Sequence, residues 1–258
     1  MHFHFDFSAN QILWTLTFAA ELVLLVVLLG RDRARRYPWF TLKIALLALL
    51  LLISRLLVNR MAAVTVGIVF LTLSCIATLV SWIVVAEVAR RGFAGASRRS
   101  WLIAAIAALV IAGIALWLWG PWPAWKTLTG ASRLVAIRCM QMFADKGSML
   151  ANVLEVELAI LFALFGRRYR GGWRSHPHMI AIGLSAAALS QIAVRVIWRS
   201  LASHTVIRSQ AEYLRIVTLR ERIYHANDVV YLCALVWWIA WLWLDEPAAA
   251  NRQIAPGA

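Results

Sequence analysis

Residues 20–34 read AELVLLVVLLGRDRA, and residues 156–170 read VELAILFALFGRRYR. Each stretch has a glutamate, a run of eight apolar residues, a glycine and an arginine, in that order. An apolar run that ends in arginines is typical of a membrane-spanning helix at its cytoplasmic end. The two stretches therefore indicate a membrane protein, and their likeness predicts an internal repeat.

The composition of the whole chain agrees with this. Of its 258 residues 62% are hydrophobic, whereas soluble domains are nearer half apolar. The net charge is +14, but the arginines fall between apolar runs rather than on one polar face, so they indicate membrane orientation and not a nucleic-acid partner. Cys75, Cys139 and Cys233 lie far apart and predict neither a disulfide framework nor a zinc site. We expect no metal and no cofactor.

Seven windows are long enough to cross a bilayer, which takes about 20 residues for about 30 Å of hydrocarbon. They lie near residues 11–29, 39–58, 62–89, 101–119, 149–165, 179–200 and 227–244. The sequence thus predicts an all-α, polytopic bundle of seven transmembrane helices. We expect one transmembrane domain over residues 1–247, and a disordered tail over residues 248–258.

Arginines in three connections predict the orientation. The loops GRDRARRYP, RRGFAGASRR and GRRYRGGWRSHPH hold twelve arginines against one acidic residue, Asp32. By the positive-inside rule these loops are cytoplasmic, so the N-terminus is outside and the C-terminus inside. The N-terminus has no basic segment before its first apolar run, which favours a retained span over a cleaved signal peptide. We expect the cytoplasmic membrane as the location.

Two long segments on the predicted outer side, residues 124–147 and 206–228, alternate charged and apolar residues at helical spacing. Such segments can be amphipathic helices lying at the membrane interface. They can equally be extensions of the neighbouring spans into solvent, and the sequence leaves both interpretations open. Asn227 or Asp228 would then cap the last span.

The two opening stretches align when Glu21 is matched with Glu157. Pro38 and Pro177 then open corresponding spans, and TLVSWI in the third span resembles ALVWWI in the seventh. We predict two parallel three-helix repeats, 11–89 and 149–244, joined by a linker span at 101–119. This layout resembles the three-plus-one-plus-three plan of SWEET-type sugar transporters in topology only, because the prolines within the first helices of that family are absent here.

Several charges lie inside the spans, where each costs about 2.5–3.5 kcal/mol on insertion scales. Glu21 and Glu157 are midway along their spans, and Arg55 and Arg195 lie in the spans that follow. Because side chains lean toward the N-terminus of a helix, we predict two ion pairs, Glu21 with Arg55 and Glu157 with Arg195. Gln191, one turn before Arg195, adds a polar group to the same helix face. These five residues line either a packed polar core or a cavity for a ligand.

No motif identifies a reaction. The chain has no glycine-rich phosphate loop, H-E-x-x-H motif or nucleophile elbow, and we predict no catalytic residue. Retinal binding is excluded because the last span has no lysine. His176 and His178 flank a proline in a basic loop and are expected to be solvated.

The sequence favours a non-enzymatic protein that binds or transports a small solute, or acts as a receptor or accessory subunit. Its expected partners are the lipid bilayer, a small solute or lipid, and a membrane protein, without nucleic acid. The alternatives are a membrane-embedded enzyme that acts on a lipid or amphiphile with Glu157 or Glu21 as general base, and a purely structural membrane subunit.

Overall fold

A computed structural model describes residues 9–57, 62–120, 122–123, 133–166, 175–204 and 209–245. All regular secondary structure in these ranges is helical. The helices are α1 (Ala9–Gly30), α2 (Arg33–Arg36), α3 (Pro38–Leu57), α4 (Ala63–Gly92), α5 (Arg98–Leu118), α6 (Arg133–Phe165), α7 (His176–His204) and α8 (Gln210–Trp243). Every one except the short α2 is long and apolar enough to cross a membrane. The predicted all-α fold with seven spans is confirmed, and the protein is an integral membrane protein. The predicted disordered tail lies outside the described residues.

Helices α6 and α8 are longer than the spans predicted for them. They contain 33 and 34 residues, about 50 Å each at 1.5 Å per residue, and exceed the hydrocarbon thickness of about 30 Å. The described parts of the two amphipathic segments, 133–147 and 210–228, are continuous with the spans, so the extension alternative is the one observed.

The prediction that Asn227 or Asp228 caps the last span is wrong. The cap of α8 is Ser209, whose side chain accepts a hydrogen bond from the Glu212 amide.

Both prolines lie at helix starts, as the sequence predicted. Pro38 is the first residue of α3 and Pro177 the second residue of α7, positions where a missing backbone N–H breaks no hydrogen bond. The prediction of solvated histidines beside Pro177 is wrong. His176 and His178 are 1% and 2% exposed, because α7 begins inside the bundle, where His176 Nε2 lies 3.1 Å from the carbonyl oxygen of Leu244.

Six of the long helices form a ring, and two of them, α4 and α7, also pack against each other across it. The order around the ring is α1, α3, α4, α6, α7, α8 and back to α1, and α5 packs against α6 from outside. Arg33 donates a hydrogen bond to Asp245, and the Phe40 amide donates one to Glu87. These contacts place the ends of α1, α4 and α8 beside the start of α3. We call this the arginine-rich end of the bundle.

Burial divides the ring into two halves. Buried side chains lie in the half next to the arginine-rich end, here called the packed half: residues 17–30, 38–48, 78–92, 147–165, 176–188 and 234–243. The remaining parts of the same helices form the open half: residues 9–16, 49–57, 64–77, 134–146, 189–202 and 209–233. None of the residues in these open-half ranges is buried.

Close contacts between large and small side chains fill the packed half. Trp238 is 1% exposed and donates a hydrogen bond to the carbonyl oxygen of Ile180. Phe40 meets the Trp238 ring edge-on, with ring centroids 5.1 Å apart. A Cβ on Gly183 would lie 2.3 Å from Nε1 of Trp238, so only glycine lets α7 and α8 approach this closely.

Candidate functional site

Four polar side chains meet where the packed half joins the open half. Tyr231 of α8 donates a 2.9 Å hydrogen bond to Oε1 of Glu21 in α1. Lys43 of α3 donates a hydrogen bond to Oε1 of Glu155 in α6. The two pairs adjoin because Glu21 lies beside residue 44, next to Lys43, in the alignment of α1 with α3 that the hydrogen bond from Trp14 to Leu51 sets. We call these four residues the central cluster, and each comes from a different helix of the ring.

The central cluster lies deep in the bundle. Glu21 is nine residues before the end of α1 and Glu155 ten residues before the end of α6, about 14–15 Å from the arginine-rich end. That depth is about half of the hydrocarbon thickness. Glu21 is fully buried, and the side chains of Lys43 and Glu155 are 13% and 4% exposed. Charges at such a depth require polar partners from neighbouring helices.

The two oxygens of Glu21 have different surroundings. Oε1 accepts the hydrogen bond from Tyr231, whereas Oε2 is buried and has no hydrogen-bond partner among the described residues. Lys43, the cation of the cluster, is engaged by Glu155 instead. Glu21 therefore presents an oxygen that no donor in the described part of the chain satisfies.

The predicted ion pair between Glu21 and Arg55 is wrong. Trp14 donates a hydrogen bond to the carbonyl oxygen of Leu51, which fixes how the antiparallel helices α1 and α3 are aligned. In that register Glu21 lies beside residue 44, and Arg55 is eleven residues, about 16 Å, further along α3. The Arg55 guanidinium lies instead over the Trp14 ring, 5.8 Å from its centroid.

The predicted pair between Glu157 and Arg195 is also wrong, for the same reason. Arg195 donates hydrogen bonds to the Asp145 carboxylate at 3.0 Å and to Ser148 Oγ at 2.7 Å. Those partners lie about three turns from Glu157 along α6. Both carboxylate oxygens of Glu157 are buried and have no hydrogen-bond partner in the described ranges.

Of the five predicted site residues, Glu21 belongs to the central cluster and Gln191 lies near it. Oε1 of Gln191 accepts a 3.2 Å hydrogen bond from Asn152, which is one helical turn from Glu155. One residue before Gln191, Ser190 donates a 3.0 Å hydrogen bond to Asn227 of α8. These two hydrogen bonds join α6, α7 and α8 on the side of the cluster that faces the open half. We call their four residues the polar wall.

Glu155 is the site residue that the sequence prediction missed. The buried residues Asn152, Glu155, Leu158 and Phe162 follow one another at spacings of three and four and share one face of α6. Glu157 is two residues from Glu155, a rotation of about 200° on a helix with 3.6 residues per turn. It therefore belongs to another face. The polar residue Asn152, one turn before Glu155, is the sequence signal that could have identified this face.

The same spacing occurs in α1. Glu21 is followed by the buried leucines Leu24 and Leu28, as Glu155 is followed by Leu158 and Phe162. Matching the two stretches by sequence aligns Glu21 with Glu157. Matching them by which residues are buried aligns Glu21 with Glu155, two residues earlier. In burial and in the buried residues that follow it, Glu155 resembles Glu21 more closely than Glu157 does.

Comparison with known proteins adds no further constraint. No protein-family model, curated protein or solved structure matches the chain. The chemistry available at the site is that of its own residues: two carboxylates, one ammonium group and one phenol. They lie at mid-depth in the bundle, next to the packed half.

Proposed function

We propose that the protein binds a small polar solute at the central cluster and that this solute enters through the open half. The observation that carries the proposal is the division of the ring. Apolar side chains fill the packed half, no residue in the open-half ranges is buried, and the charged residues lie at the junction. A ligand site closed toward one end and open toward the other is what a membrane binding protein or transporter needs.

The proposal includes an orientation. Twelve arginines in three loops support a cytoplasmic arginine-rich end, with the N-terminus and the open half outside the cytoplasmic membrane. Reporter fusions after Leu29, Arg91, Gly166 and Ala258 should all report a cytoplasmic location. A periplasmic signal at any of these positions would reverse or break this orientation.

It also includes a parallel repeat of three plus one plus three helices. The ring order supports it: α1, α3 and α4 pack in sequence, as do α6, α7 and α8, and the junctions α4 with α6 and α8 with α1 correspond under a two-fold rotation. The contact of α4 with α7 is the departure from this symmetry, because α8 and α3 do not pack against each other to the same extent. Such an axis along the membrane normal would relate Glu21 to Glu155 and bring both to the centre. Superposition of residues 9–30 on residues 143–164, a shift of 134 positions, tests this relation.

The alternative of a lipid-acting enzyme finds no support at Glu157. A general base must act beside a second reactive group, and neither oxygen of Glu157 has a hydrogen-bond partner among the described residues. Glu21 contacts Tyr231, and the amine of the cluster, Lys43, is held by Glu155.

Solute binding can be tested with the purified full chain in detergent. We would measure thermal unfolding by tryptophan fluorescence against cationic, neutral and anionic solutes, including amino acids and sugars. At least one solute should raise the melting temperature saturably, because ligands that bind only the folded state stabilise it. The Lys43→Met/Glu155→Gln double variant should lose this effect, since it removes one charge of each sign. If no solute of any charge stabilises the protein, the proposal fails.

Access from the open half can be tested separately with cysteines introduced into a chain whose Cys75, Cys139 and Cys233 are replaced by serine. Gln191→Cys lies in the polar wall and should react with a charged thiosulfonate added from outside. Ser185→Cys, in the buried part of the same helix, is the matched control and should remain unmodified. Equal labelling of both positions would contradict a closed packed half.

A further inference from the structure

The central cluster carries more negative than positive charge. It contains two carboxylates and one ammonium group, and Lys43 is engaged by Glu155. Tyr231 gives Glu21 a hydrogen bond but no charge. Oε2 of Glu21 is buried and lacks a partner among the described residues. A carboxylate held in this way is costly unless a cation compensates it.

We propose that Glu21 binds the protonated amine of an organic cation through Oε2, while Oε1 keeps its hydrogen bond from Tyr231. This inference rests on the proposed solute-binding function and specifies its substrate class. An ammonium group supplies both things that the oxygen lacks, a positive charge and N–H donors.

Other ligand classes fit the cluster less well. An anion would meet Glu21 and Glu155 together. A metal ion prefers several oxygen or nitrogen ligands, and the described residues contain no group of three histidine, cysteine, aspartate or glutamate side chains that could hold one. A neutral polar solute could donate a hydrogen bond to Oε2 but would leave the charge uncompensated.

A second polar group lies beside Glu21. Thr17 lies one helical turn before Glu21 on the same face of α1 and is 7% exposed. Its hydroxyl can accept a hydrogen bond from a second N–H of the amine. The polar wall carries the amide groups of Asn152 and Gln191, and the positive charge of Arg195, one turn beyond Gln191, is paired with Asp145.

The test uses two sets of solutes that share a shape and differ in charge. One set is ethanolamine, ethylene glycol and glycolate; the other is putrescine, 1,4-butanediol and succinate. Calorimetric titration of the full chain in detergent should detect binding of an amine and not of its neutral or anionic analogues. Glu21→Gln keeps the shape of the side chain and loses the charge, so it should weaken amine binding at least tenfold. Glu157→Gln removes the other mid-span glutamate of α6 and should leave the affinity unchanged.

A second measurement avoids variants and any loss of folding. Dicyclohexylcarbodiimide, an apolar reagent for buried carboxyl groups, should modify Glu21 in the native protein, and peptide mass spectrometry would follow the rate. Putrescine or ethanolamine should slow this modification at least threefold, whereas 1,4-butanediol should not. Modification of Glu157 in the same sample is the internal control and should not respond to the amine.

The outcomes separate this inference from the function on which it rests. If a neutral or anionic solute binds and no amine does, the amine proposal is overturned and solute binding stands. Unchanged amine affinity in Glu21→Gln, or unchanged modification of Glu21 in the presence of amine, also overturns it. If no solute of any charge binds, both proposals fail.

Discussion

The packed and open halves of the ring are built from the same six helices but are held together in different ways. In the packed half, apolar side chains interdigitate and small residues let the helices approach, as at Gly183 and Trp238. In the open half, the contacts joining α6, α7 and α8 include hydrogen bonds between polar side chains, such as Ser190 to Asn227. Each of the six helices has one part in the packed half and one part in the open half.

This difference locates stability and function in different places. Lipid tails are as apolar as leucine, so helices in a membrane associate through close packing and hydrogen bonds rather than by burial from water. Close packing cannot be replaced by solvent, whereas water can substitute for the hydrogen bonds of an open polar wall. We therefore expect substitutions in the packed half to unfold the protein, and substitutions in the open half to be tolerated.

The largest expected effect is that of Trp238→Ala in the packed half. This change removes the ring that fills the space against Gly183 and Phe40, together with the hydrogen bond to Ile180. Core substitutions of this kind cost about 3–5 kcal/mol. Unfolding in a detergent titration should show a loss of stability within this range.

The matched control is Trp117→Ala. Trp117 is 71% exposed in α5, outside the ring, and its removal should change stability by less than about 0.5 kcal/mol. Equal losses for the two tryptophans would mean that the packed half is not where the bundle is held together.

The next effect is at the junction of the halves. Lys43→Met leaves the Glu155 carboxylate without its cation at mid-depth, and breaking a buried pair in this way costs about 3 kcal/mol or more. The Lys43→Met/Glu155→Gln double variant removes both charges and should recover most of the loss. The stability of the two single variants and of the double variant completes the cycle. If the double variant loses as much unfolding free energy as the two single variants added together, the two residues do not interact.

The number of the spans and the starts of α3 and α7 could be predicted from the sequence because they depend on local properties. An apolar run of sufficient length must be helical in lipid, where all backbone groups have to be satisfied internally. Pro38 and Pro177 mark helix starts for a reason contained in the residue itself. Seven spans follow from these properties alone.

The partners of the charges could not be predicted in this way. A span that is apolar on all sides gives little indication of which face turns inward, and nothing local sets how far one helix is displaced along its neighbour. The sequence match aligns Glu21 with Glu157, two residues beyond the buried Glu155, and the two ion pairs were wrong because the register between neighbouring helices is not encoded locally. The face of α6 could have been found from the spacing of Asn152, Glu155 and Leu158, but the register could not.

The smallest expected effect is in the open half, at Arg195. Its bonded partner Asp145 is 60% exposed and Arg195 itself 27% exposed, so solvent screens the pair and its worth is about 0.2–1 kcal/mol. Arg195→Gln should therefore destabilise the protein by about 1 kcal/mol or less, including the hydrogen bond to Ser148.

Two double-variant cycles distinguish the observed partner of Arg195 from the one that the sequence had indicated. Arg195→Gln combined with Asp145→Asn should show coupling, because the two side chains are 3.0 Å apart. Arg195→Gln combined with Glu157→Gln should be additive within about 0.5 kcal/mol, as expected for residues more than 7–10 Å apart. The reverse result would restore the pair between Glu157 and Arg195 and would move α7 by about three turns along α6. That movement would also separate Asn152 from Gln191 and remove the polar wall from the open half.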